Sequence, residues 1–93
     1  MKIIITGATG FVGSNLSKYL EEKGNVVGKL FLRNPEWILN KNVDVIIHLA
    51  GKAHDIANTS ADDEYFKVNR DLTIQLFDEF LNSEIRDFIY FSS

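Results

Sequence analysis

IIITGATGFVGSNL, Ile3–Leu16, is the stretch that decides the fold of this chain. Three isoleucines run straight into glycines at 7, 10 and 13, and a segment of helical apolar spacing follows. Lys2–Thr6 reads as a short strand covered on both faces, because consecutive β-branched residues suit a buried strand. Val12, Leu16 and Leu20 recur every fourth residue and predict one apolar stripe on a helix. A strand that enters a helix through three spaced glycines has a physical reason to exist. The first glycine permits a tight turn, the second lets backbone approach a pyrophosphate, and the third lets helix and strand pack closely. The amides and dipole at the helix start then favour an anion. The same triplet can be a plain strand–helix turn without a ligand. The flanking strand and helix, both where the motif requires them, favour the nucleotide.

The rest of the composition bounds this reading. A chain of 93 residues is one small domain, 1–93. Hydrophobic content of 45% with 25% charged residues argues against disorder. A net charge of −3, with its ten basic residues scattered, argues against nucleic acid as a partner. Apolar runs such as Ile3–Ile5 and Val45–Ile47 are far too short to span a bilayer, so no membrane is expected. The start MKIIITG lacks the apolar stretch of a secretory signal, and a cytoplasmic location is the default expectation. The absence of cysteine excludes disulfides and zinc–thiolate sites.

Working outward, Gly24 sits where a helix C-cap glycine belongs, and NVVGKLFLR (25–33) is a second strand candidate. NPEWILNKN (34–42) offers Asn34 as N-cap and Pro35 at the first helical position, which predicts a short helix with Trp37 as a packing residue. VDVIIHLAG (43–51) is a third strand, apolar on both faces. TSADDE (59–64) is a helix start, with acids suited to the positive end rather than a catalytic pair. That long helix is expected to run to about Asn82, and RDFIYFSS (86–93) is a last strand. The order β-α-β-α-β-α-β, about four strands and three helices, points to an α/β fold with a doubly wound parallel sheet.

The spacing Gly7-x-x-Gly10-x-x-Gly13 after Thr6 differs from the GxGxxG of most dinucleotide dehydrogenases. It resembles the TGxxGxxG of the short-chain dehydrogenase/reductase superfamily, in the form typical of its extended branch. That branch holds nucleotide-sugar epimerases, dehydratases and reductases. DVIIHLAG (44–51) is similar to the branch's fourth-strand motif, whose backbone passes the adenosine and ribose. EYFKVNRDLTIQLFDEF (64–80) resembles the helix that carries its asparagine, here Asn69. FIYFSS (88–93) resembles the strand that delivers its catalytic serine, which falls on Ser93 with Ser92 beside it. The resemblance covers nearly the whole chain and implies a truncated Rossmann-like fold that binds NAD or NADP. It assigns the cofactor to Gly7, Thr9, Gly10, Phe11, Val12, Gly13, Leu49, Ala50 and Gly51. Asn69 is implied as a support for the active-site hydrogen bonds, with a plain helix residue as the alternative.

Two departures from the family matter. In the branch the serine works with a Tyr-x-x-x-Lys motif some tens of residues later, and Tyr19, Tyr65 and Tyr90 all precede Ser93. The dyad and the sugar-binding region are therefore expected to be absent, and the chain is expected to be the inactive N-terminal part of an enzyme. The nucleotide sugar would be the substrate of the full-length parent. The alternatives are a non-catalytic dinucleotide-binding module and a degenerate fragment without ligand. Second, the span between Gly24 and Asp44 is too short for the usual strand, helix, strand and helix, so one strand–helix unit is missing or compressed. The acid that marks NAD about 20 residues past the loop would fall on Leu30 or Phe31, which cannot accept that bond. Arg33 follows and would pair with a 2′-phosphate, which leans to NADP; a solvated strand-end charge is the equal alternative.

Other residues have plainer readings. His48 and His54 with Asp55 do not complete a coordination shell, so no metal is expected, and His48 reads as a motif position satisfied by hydrogen bonds. On the long helix, Val68, Leu72, Leu76 and Phe80 form one stripe. Phe66, Thr73, Phe77 and Leu81, with Ile74, form a second beside it. Together they exceed what a one-sided helix needs. A homo-oligomer through the 64–82 helix or the last strand is the expectation, the helix being a common dimer interface in the branch.

Overall fold

In the computed structural model, residues 1–49 and 60–91 are described, the side chains of 60–66 excepted. The elements run β1 (Lys2–Thr6), α1 (Phe11–Glu22), β2 (Val26–Leu30), β3 (Val45–Leu49), α2 (Ser60–Leu81) and β4 (Asp87–Phe91). All strands are parallel and stand in the order β2-β1-β3-β4. From β1 the chain steps outward to β2, then returns across β1 to build β3 and β4 on the other side. The ends of β1 and β3 therefore flank the point where the winding reverses.

The period-2 alternation of the strands sorts the core into two layers. Ile3, Ile5, Val45 and Ile47 point to one face, where Leu16 and Leu20 of α1 cover them. Ile4 and Ile46 point to the other, against Leu76 of α2, Leu30, Leu39 and Ile85. Helices on both faces make this the doubly wound Rossmann-like fold that the sequence predicts. Among the described residues no helix is long and apolar enough to cross a membrane.

α1 ends through its glycine. Gly24 has φ +92, its N–H donates to the Glu21 carbonyl, and the Asn25 N–H reaches back to that of Leu20. These paired bonds are the left-handed cap that a C-terminal glycine allows. The buried face of α1 departs from the predicted stripe. It consists of Gly13, Leu16, Ser17 and Leu20, while Val12 is exposed. Small residues at 13 and 17 let the helix sit close to the sheet, and that contact sets its rotation.

The helix predicted over 34–42 does not form, so the described residues hold two helices rather than three. The Asn34 side chain does accept the Glu36 N–H, as a cap would, but the Trp37 N–H then closes a tight turn on the Asn34 carbonyl. Beyond it Ile38 is exposed while Trp37 packs on the core and Leu39 is buried within it, the alternation of an extended strap. A helix this short gains too few bonds to offset nucleation, and burying Trp37 and Leu39 wins. The strap carries the chain from β2 to β3 without a further strand–helix unit. Strand β2 stops at Leu30, so Arg33 lies in a turn rather than on the strand.

α2 keeps the predicted buried residues Leu76 and Phe80 but differs elsewhere. Val68 is exposed, and Thr73 turns toward the sheet, leaving Ile74 and Leu81 on the outer face and Phe77 half exposed with its ring against Phe88. Phe66 lies among the side chains outside the described residues.

Candidate functional site

The glycine loop leaves β1 at Thr6, which is buried and paired in register with Leu30 on one side and His48 on the other. Its three glycines meet different constraints. Gly7 has φ +68, and a Cβ there would stand 2.9 Å from the Leu49 carbonyl oxygen. A Cβ on Gly13 would fall 2.2 Å from the Gly7 oxygen and 2.7 Å from the Ala8 Cα. Both positions are closed by this chain's own backbone. Gly10 is different: its φ of −75 suits any residue, and among the described residues a Cβ would meet only the Gly7 oxygen at 3.6 Å. Its missing side chain leaves space over the loop among the described residues.

Gly10 is also the N-cap of α1, where no side chain caps the helix and no acid occupies the first turn. First-turn amides have no partner within a helix, and here the helix dipole adds to their pull on an anion. Thr9, Phe11 and Val12 are exposed around this opening, and Ala8 is buried beneath it. Leu49 closes the neighbouring side at the end of β3. Ala50, Gly51, His54, Asp55, Ser92 and Ser93 lie outside the described residues.

Behind the loop runs a chain of buried and part-buried hydrogen bonds. The Leu49 N–H donates to Thr6 Oγ1 at 3.2 Å, and Thr6 Oγ1 lies 2.5 Å from His48 Nδ1. His48 Nε2 meets Thr73 Oγ1 at 2.8 Å, and that hydroxyl donates to the Asn69 carbonyl at 2.9 Å. Tyr90 stacks on the imidazole, with centroids 5.4 Å apart. Burial holds the His48 pKa below its ordinary 6.5. The hydrogen bonds expected of His48 are thus present. Its link to Thr73 was not legible, because 25 residues separate them and the helix rotation decides their meeting.

Arg33 does not stand as an isolated strand-end charge. Its Nη2 donates to Asn69 Oδ1 at 3.0 Å, which ties the turn after β2 to α2. Among the described residues the buried Asn69 Nδ2 has no hydrogen-bond partner. Leu30 belongs to the core and Phe31 is exposed. Tyr19 and Lys23 do have the i, i+4 spacing of a Tyr-x-x-x-Lys motif, a match the sequence reading passed over. The Lys23 Nζ sits 5.5 Å from the centre of the exposed Tyr19 ring, in the last turn of α1. A helix of 12 residues is about 18 Å long, so the pair stands near the end opposite the glycine loop.

Comparison with known proteins adds four findings. Residues 3–93 match the NAD dependent epimerase/dehydratase family. The chain is 41% identical over 83 residues to a UDP-2-acetamido-2,6-beta-L-arabino-hexul-4-ose reductase of Pseudomonas aeruginosa, covering 82% of this chain and 20% of that protein. It is 30% identical over 112 residues to a UDP-glucose 4-epimerase of Vibrio cholerae, covering 98% of this chain and 34% of the epimerase. The fold is similar to the crystal structure of UDP-N-acetylglucosamine 4-epimerase from Bacillus cereus, with a TM-score of 0.71 at 23% identity, over 97% of this chain and 36% of the other. The chain thus spans about a fifth to a third of the curated relatives it matches. The epimerase alignment covers 112 positions against the 93 residues here, so the relative carries at least 19 that have no counterpart.

Proposed function

Since this chain belongs to the NAD dependent epimerase/dehydratase family, we propose that it is the dinucleotide-binding portion of a nucleotide-sugar epimerase, dehydratase or reductase. The observation that carries the proposal is the contrast among the three glycines. Gly7 and Gly13 are required by the chain's own packing, whereas at Gly10 the chain leaves room that a pyrophosphate would use. The residues present fit that group: an uncapped helix start without an acid, and a backbone cradle from Gly7 to Gly13. The first-turn amides of α1 would hold the phosphates, and Leu49 would border the nucleoside. When bound, the nicotinamide supplies the hydride acceptor or donor.

Our reading keeps a lean to NADP. Neither Leu30 nor Phe31 has a side-chain acceptor for a ribose hydroxyl, and Arg33 lies in the turn that follows. The lean has an opposing cost, since Arg33 is bonded to Asn69. For the sugar chemistry an acid–base group beside the cofactor is required, and the Tyr19–Lys23 pair stands too far from the loop to serve. Turnover of a nucleotide sugar is therefore not proposed for these 93 residues by themselves. Self-association is part of the proposal, supported by the exposed Ile74, Phe77 and Leu81 on α2 and Ile89 and Phe91 on β4.

Calorimetry with NAD and NADP tests the assignment. Gly10→Val should leave the fold intact, because its Cβ would meet the described residues at no less than 3.6 Å, and abolish measurable binding. Equal affinity in both proteins would overturn the loop assignment.

A further inference from the structure

We infer that His48 is a positioning residue for the phosphate-binding loop: as a neutral imidazole with its proton on Nε2, it locks the carboxyl ends of β1 and β3 to α2 through Thr6 and Thr73. The inference rests on the dinucleotide reading above, and the direction of each bond follows from donor chemistry. A carbonyl only accepts, so the Thr73 hydroxyl proton is committed to the Asn69 carbonyl, 2.9 Å away. Toward His48 the Thr73 oxygen can then only accept, which places a proton on Nε2. At the other end a backbone N–H only donates, so Thr6 Oγ1 accepts from Leu49. With the ring neutral, Nδ1 carries a lone pair, and the Thr6 hydroxyl donates into it. Every donor from Leu49 to Asn69 points the same way.

The relay sits where the loop needs a fixed foundation. Thr6 is the residue before Gly7, and the Leu49 carbonyl lies against Gly7. Moving either strand end would alter the gap that the nucleotide enters, at the point where the winding reverses. Among the described residues, the groups bonded to or stacked on the ring are Thr6 from β1, Thr73 from α2, and Phe88 and Tyr90 from β4. Of these only the Tyr90 phenol is titratable. Protonating Nδ1 would reverse the Thr6 bond and put a charge into a buried ring site.

The sign of the pH effect follows from burial. The folded chain holds the His48 proton more weakly than the unfolded chain does. Stability from the neutral ring is present above about 6.5, the value for an unfolded histidine, and is lost as the pH falls through the folded pKa.

The test uses ¹⁵N-labelled chain and NADP. At pH of about 7 the imidazole spectrum of His48 should show the Nε2–H tautomer. Thr73→Val should weaken NADP binding by about three- to tenfold, the worth of one lost hydrogen bond, while Thr73→Ser restores it. Binding should weaken in parallel with His48 protonation as the pH is lowered. An Nδ1–H tautomer or a charged ring at pH of about 7 would overturn the inference, as would unchanged affinity in Thr73→Val. If the unsubstituted chain binds no dinucleotide, the functional reading fails. The imidazole spectrum and the exchange protection of the Leu49 amide then still decide the relay.

Discussion

Strands β3 and β4 lie side by side in register, and their sequences, VIIHL and DFIYF, are both largely apolar. Ile47 and Ile89 are direct partners on the same face of the sheet, yet Ile47 is 7% exposed and Ile89 44%. The difference lies above the strands. Leu16 and Leu20 of α1 pack on the face that includes Ile47, whereas Ile89 remains half exposed at the sheet's edge. On the opposite face Phe88 of β4 is packed against Phe77 and Phe80 of α2. Burial of a strand is therefore a property of the layers around it, and apolar composition supplies only the opportunity.

The comparison breaks or holds first on stability. Ile47→Ala should cost about 2–5 kcal/mol, the range for truncating a buried isoleucine, and Ile89→Ala at most about 1 kcal/mol. Urea denaturation measures both, and equal losses would mean that the outer strand is covered after all. Next in size is Gly13→Ala, which tests how closely α1 must approach to cover Ile47. Its Cβ would collide with backbone at Gly7 and Ala8 rather than with a flexible side chain. Overpacking of about 1–3 kcal/mol is expected, seen as a lower thermal midpoint, and an unchanged midpoint would mean the loop can retreat without loss. The smallest effect concerns association. If half-exposed Ile89 and Phe91 are covered by a second copy, Ile89→Lys should weaken self-association by about tenfold, since one such side chain contributes about 1.5–3 kcal/mol on full burial. Sedimentation equilibrium reads this, and a sharp monomer at high micromolar concentration for the unsubstituted chain would end the idea.

Much of the fold was legible because its signals are local. The isoleucine runs, the glycine spacing and the Gly24 cap each act within a few residues, and the structure follows them. The helix expected over 34–42 was wrong although its start signal was right, since the Asn34 cap bond forms and the turn simply does not propagate. What stops it is distant: Leu39 is drawn into contact with Ile46, Leu76 and Ile85. Likewise the stripe through Val12 fits the period but not the rotation of α1, which Gly13 fixes against Gly7.

By itself the sequence determined the parallel α/β order, the glycine loop between strand and helix, and the resemblance that the family match upholds, because each rests on residue type at short spacing. Only the tertiary structure decided which glycine is free of the chain's own packing, and that Arg33 is bonded to Asn69. It also decided that Thr73 faces His48, and that Tyr19 and Lys23 stand at the wrong end of their helix. These depend on how helices rotate and dock on the sheet, a balance struck among residues tens of positions apart that no local pattern encodes.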